Sequence, residues 1–77
     1  MADPHAAAAR RIAGPIAEGT FRALVYEPDG RATCRDFPDL ETARRYADDA
    51  ASEVEHGVVR SYVLRDDFLC VHVGKHY

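Results

Sequence analysis

Three side chains near the end of the chain, Cys70, His72 and His76, stand at even spacing. Thiolate and imidazole are ligands for zinc or copper, and positions i and i+2 of a strand can bring two of them to one ion. A metal centre needs more than this. No CxxC or similar paired motif accompanies them, and the second cysteine, Cys34, is expected on the opposite face of the sheet derived below. The simpler expectation is a core thiol beside an edge histidine, with no metal and no cofactor. The same pair is a poor nucleophile–base couple, because neighbours on a flat strand form no concave site. Asp48-Asp49 and Asp66-Asp67 are adjacent along the chain, so they do not converge as acid–base carboxylates do. No phosphate loop, dinucleotide fingerprint, HExxH or EF-hand loop is present. The expectation is a chain that is not an enzyme, since a domain of this size rarely encloses a pocket.

A second group has different chemistry. Tyr26 and Tyr62 with Arg22, Arg35 and Arg60 have the ingredients of a base-stacking platform, which makes single-stranded nucleic-acid binding an alternative reading. Against it stand thirteen acidic residues to ten basic ones, a net charge of −3, Lys75 as the single lysine, and no RNP-like motif.

These residues must be positioned by very little material. The chain has 77 residues, and 47% are hydrophobic. Thirteen of those are alanine, and only sixteen residues are Ile, Leu, Val or Phe. That suffices for one small domain with a thin core, too short for a doubly wound nucleotide fold or a barrel. The Arg- and Ala-rich, Lys-poor bias points to a GC-rich bacterial genome. Cys34 and Cys70 are too few for a disulfide scaffold and are expected as free thiols. No long apolar stretch follows Arg10-Arg11, and Asp3, Gly14-Pro15 and Glu18 interrupt any targeting pattern, so a cytoplasmic location without membrane contact is expected.

Asp3-Pro4 is a helix start, alanines 6 to 9 continue it, and Gly14-Pro15 ends it. From Thr20 the pattern changes to period two through Phe21, Ala23 and Val25, the first strand. A turn at Asp29-Gly30 leads into a second strand from Arg31 to Phe37. Read as a two-residue loop, this turn pairs Val25 with Cys34 and Tyr26 with Thr33. Pro38-Asp39 caps a helix whose apolar stripe is Leu40, Ala43, Ala47, Ala50 and Val54, closed by Gly57. Two strands follow, Val58 to Arg65 and Phe68 to about Lys75, joined at Asp66-Asp67. The run FPDLETARRYADDAA, a strand end leading into a capped helix, resembles in pattern small bacterial two-layer domains and antitoxin-like modules. No site residue is carried over from that likeness.

The expected fold is α+β. It is a two-layer ββαββ domain over residues 19–77, preceded by a short N-terminal helical arm over residues 1–18. One helix covers one face of a four-stranded, mainly antiparallel sheet of order 2-1-3-4. The face toward that helix would carry Phe21, Ala23, Val25, Ala32, Cys34, Val59, Val63, Leu69, Val71 and Val73. The opposite face would carry Arg22, Leu24, Tyr26, Thr33, Arg35, Arg60, Tyr62, Leu64, Phe68, Cys70 and His72. Strand two makes a polar edge and strand four an apolar one. The face of strand four depends on the loop at Asp66-Asp67, because a one-residue slip inverts it.

The second face is too apolar to be idle and too charged to be core. The arm can fold back onto it, or nucleic acid can stack on it. The reading adopted is self-association. The chain is expected to act as a protein-interaction module that meets itself, or another protein, through this face, the apolar edge strand, or both. The interface residues are then Arg22, Leu24, Tyr26, Arg35, Arg60, Tyr62, Leu64, Phe68 and His72.

Overall fold

A computed structural model describes residues 4–27, 29–52 and 60–74. Helix α1 runs over Pro4–Ala13, strand β1 over Phe21–Tyr26, β2 over Ala32–Phe37, helix α2 over Leu40–Ser52, β3 over Arg60–Leu64 and β4 over Cys70–Val73. The α+β class, the element order and the strand order β2-β1-β3-β4 are those expected from the sequence. Val54, Gly57, Val58, Val59, Lys75 and His76 lie outside the described residues.

Asp39 starts α2 as a cap should. Its carboxylate accepts the Thr42 backbone N–H at 2.8 Å and the Thr42 hydroxyl at 3.0 Å, satisfying a donor that the first helical turn leaves open. These bonds hold the Asp39 carboxyl below its ordinary pKa. Three fully buried alanines, Ala43, Ala47 and Ala51, form the sheet-facing stripe at a spacing of four. Phe21, Phe37, Leu40 and Val71 pack around Ala43, Ala47 and Val63 on this side.

Both hairpins carry a loop one residue longer than a two-residue turn. In the first, Gly30 N–H donates to the Glu27 carbonyl at 3.0 Å, Glu27 N–H donates to Arg31 at 2.7 Å, and Gly30 has φ +91°. A loop ending in a left-handed residue shifts the register. Val25 therefore faces Thr33 and Leu24 faces Cys34, not Val25 with Cys34 as the shorter loop would require. The slip transfers all of β2 to the other side. Ala32 and Cys34 join the second face, while Thr33 and Arg35 turn to the α2 side.

The second hairpin repeats this bonding. Phe68 N–H donates to Arg65 at 2.8 Å, Arg65 N–H donates to Leu69 at 2.9 Å, and Phe68 has φ +67°. In both loops an aspartate carboxylate, Asp29 or Asp67, accepts the backbone N–H two residues on at 3.0 Å. Cys70 then pairs with Leu64 and keeps its expected face. Between them and the Val63–His72 pair, Val71 is an extra residue, a bulge that reverses the parity. His72 thus turns toward α2, not toward the tyrosine face, and Val73, opposite Tyr62, leaves the α2 side.

Helix α1 lies across the second face. Ala9 and Ile16 are buried against Leu64, with Cys34, Phe68 and Cys70 packed around them. Gly14, at φ +74°, ends the helix by donating its N–H to the Arg10 carbonyl at 2.8 Å. The sheet is therefore covered on both sides, by α2 on one and by the chain's own N-terminal segment on the other.

Candidate interaction surface

Placing the expected interface residues begins with Arg22, which is 1% exposed. Its Nε donates to Asp36 at 2.7 Å and its Nη2 to the other Asp36 oxygen at 3.0 Å. Nη1 reaches the carbonyls of Ala9 at 3.1 Å and Gly14 at 2.5 Å, and Nη2 those of Ala13 at 3.3 Å and Pro15 at 3.1 Å. The C-terminal carbonyls of a helix have no partners of their own and carry its negative dipole end. Arg22 serves that end with a buried cation, through the Ala9 and Ala13 carbonyls and those of Gly14 and Pro15 just beyond, so it is a clamp on α1 and not a free contact. The bond to Asp36 holds it even more firmly in the charged form.

Leu24 and Leu64 are fully buried beneath the arm. Tyr26 and Tyr62 stand edge to face at 6.0 Å, but His5 of α1 stacks on the Tyr62 ring at 3.9 Å and meets the Tyr26 hydroxyl at 3.3 Å. The base-stacking platform is thus occupied from within the chain. Arg60, opposite Tyr26, is exposed. Arg35 lies on the other side of the sheet, its guanidinium over the rings of Phe37 and Tyr46 at 5.6 and 5.7 Å. Phe68 sits in the β3–β4 loop beneath Arg10, 4.5 Å from it. His72 Nε2 meets Asp48 Oδ1 at 2.8 Å, tying β4 to α2, and its side chain is 11% exposed.

The candidate ligands Cys70 and His72 are separated by the bulge onto opposite faces, and His76 is outside the described residues. Among the described residues no three His, Cys, Asp or Glu side chains gather as a metal site. Cys34 and Cys70 are free and now share a face. Two strands stand between theirs, however, so their Cα atoms are about 14 Å apart at ordinary strand spacing, far beyond disulfide reach. Burial raises the Cys34 thiol pKa, and Arg22 nearby offsets this only in part. An open depression on the solvent side of α2 is lined by Leu40, Glu41, Arg44, Arg45, Asp48 and Asp49, all from one helix.

Three residues escaped the sequence reading. Ser61 is buried and donates its hydroxyl to the Ala47 carbonyl at 2.7 Å. Asp36 reads as a surface charge yet orients Arg22. His5 stands three and four residues ahead of the buried Ala8 and Ala9, a spacing that places it on the same helix side.

The two edges of the sheet remain, and they differ. The β2 edge presents Arg35 and Asp36, with Arg31 just ahead of it, all exposed. From Phe68 to Gly74 the only titratable side chains besides Cys70 belong to His72, which turns inward. Here Leu69 and Val73 are 54% and 57% exposed, two of the three exposed large hydrophobics among the described residues. No helix among the described residues is long and apolar enough to cross a membrane. Comparison of the chain with protein-family models, curated proteins and solved structures finds no match.

Proposed function

We propose that this chain is a small protein-interaction module that pairs with a second copy of itself along the outer edge of β4. The observation that carries this reading is the asymmetry of the two edges. An edge strand offers unpaired backbone groups to any other strand, and proteins guard against this with charge, above all on long apolar edges. β2 has that guard, whereas the segment from Leu69 to Gly74 has no Asp, Glu, Lys or Arg. Antiparallel pairing of β4 with its copy about a twofold axis brings no like charges together and shields Leu69 and Val73 from water. The tyrosine face takes no part, because α1 already covers it. A strand this short gives a weak, concentration-dependent dimer.

Sedimentation velocity over a concentration series tests the reading. The wild-type chain is expected to approach a dimer at high micromolar concentration. Val73→Lys, which places a charge on the exposed edge, is expected to stay monomeric with unchanged secondary structure. A wild-type chain that remains monomeric throughout overturns the proposal, as does a Val73→Lys variant that dimerises equally well.

A further inference from the structure

The β3–β4 loop contains Phe68, the one non-glycine residue at positive φ among those described. A bulky side chain persists in left-handed backbone only where its surroundings hold it there. The turn itself does not call for phenylalanine, since the first hairpin makes the same bonds with Gly30 in the equivalent place. What distinguishes Phe68 is what it touches. Its ring lies under the Arg10 guanidinium of α1 and against the cluster of Ala9, Ile16 and Leu64. Two residues earlier, Asp66 accepts the backbone N–H of Gly19 at 3.0 Å. The loop therefore grips the N-terminal segment at two points, one on α1 and one just before β1.

Gly14 and Gly19 have φ of +74° and +79°, and a Cβ at either position would meet nothing, so the segment turns at both without packing its own side chains there. The apolar attachment of α1 is slight. Ala8, Ala9 and Ile16 are buried, while Ile12 remains 41% exposed. Contacts that small leave the docking of α1 dependent on polar and ring contacts: the Arg22 clamp, His5 on the tyrosines, and the two grips of this loop.

We propose that α1 is a strap latched by the β3–β4 loop. Phe68 holds Arg10 and Asp66 holds Gly19, so that the strap stays closed over Cys34, Cys70 and the Tyr26–Tyr62 surface. Left-handed backbone at Phe68 is the means by which the ring reaches the strap. When the latch is released, the hold on the strap falls to the Arg22 bonds and the His5–tyrosine contacts alone, so it opens more often while the sheet and α2 stay folded. The device is independent of pairing at β4.

The test compares wild type, Phe68→Gly and Arg10→Ala in native conditions, by amide hydrogen exchange and by iodoacetamide labelling of the two thiols. Phe68→Gly keeps a residue suited to the turn, and Arg10→Ala leaves the turn untouched, so both variants are expected to fold. In each, exchange of the α1 amides and alkylation of Cys34 and Cys70 are expected to rise roughly tenfold, with β1 and β3 amides unchanged. Wild-type rates in both variants overturn the latch. So does a parallel rise in α1, β1 and β3, which would make the loop an ordinary part of one cooperative core.

Discussion

Arg22 illustrates how little a residue type reveals before its neighbours are placed. As an alternating arginine in a strand it reads as a surface charge on a binding face. Within the fold it is buried, with its donors divided between Asp36 and carbonyls at the end of α1 and just after it. Removing one side of such an arrangement leaves desolvated partners behind, and that penalty exceeds the net worth of the bonds. Arg22→Met, which keeps the apolar stem and deletes the donors, is expected to lower the unfolding free energy by roughly 2–4 kcal/mol in denaturant titrations. Asp36 is 41% exposed, which keeps the loss below that of a fully enclosed pair. Arg22→Lys should recover only part of it, because one ammonium cannot span both Asp36 and the helix end. The sequence carried no signal for this role, since the carbonyls that Arg22 serves are backbone atoms.

At the scale of elements, the order of strands and helices was legible because it rests on periodicity and on strong punctuation such as Pro38-Asp39. Register was not. Asp29-Gly30 is compatible with a two-residue loop and with a longer one ending in a left-handed glycine, and the choice moves all of β2 across the sheet. For β4 the difficulty doubles. A phenylalanine takes the left-handed position, and then the bulge at Val71 reverses the parity again. Those two events kept Cys70 on its expected face and removed His72 and Val73 from theirs. Leu40, Ala43 and Ala47 pack against the sheet as their spacing predicts, but one detail of the junction between α2 and β4 was hidden. The Gly74 N–H donates to Ser61 at 2.8 Å. A Cβ at Gly74 would overlap Ser61 Oγ and stand 2.8 Å from the Ala47 carbonyl oxygen. Gly74 thus allows β4 to pass beside the bond from Ser61 to α2. Gly74→Ala is expected to destabilise the domain by roughly 1–3 kcal/mol, as overpacking does. Thermal denaturation checks this, and a midpoint equal to wild type would show that the junction relaxes freely.

Among the described residues, the sheet has alanine-lined helices on both sides and a small apolar cluster beneath each. Electrostatic contributions lie mostly at the periphery. Arg65, together with the Leu69 backbone N–H, holds the Asp67 carboxyl down to about 2, and Asp39 is lowered by its capping bonds. A carboxylate with a folded pKa below its unfolded value binds more protons when unfolded. Its stabilisation is therefore complete above the ordinary value of about 3.9 and is lost as pH falls through the folded one. The thermal midpoint is expected to fall between about pH 4 and pH 2. Asp67→Asn should flatten that decline without changing the arm's exchange at neutral pH. A variant whose acid profile matches wild type would show that Asp67 contributes nothing to it.

The paired hairpin loops have a consequence for how the chain reaches this arrangement. Each hairpin joins strands that are neighbours in sequence, and each closes through a loop whose aspartate bonds its own backbone. The first can define its register from its own loop, with glycine in the left-handed place, whereas the second also depends on the contacts that hold Phe68 there. The central pairing of β1 with β3 is different, because Ala23 meets Val63 only after the thirty-nine intervening residues, α2 included, have been drawn into place. Closing a loop of that length is the larger entropic barrier. The contacts therefore divide by range: the two hairpin pairings are local in sequence, and the β1–β3 pairing that joins them is the long-range one. The first hairpin can take its register alone, while the second shares its definition with the arm that Phe68 touches.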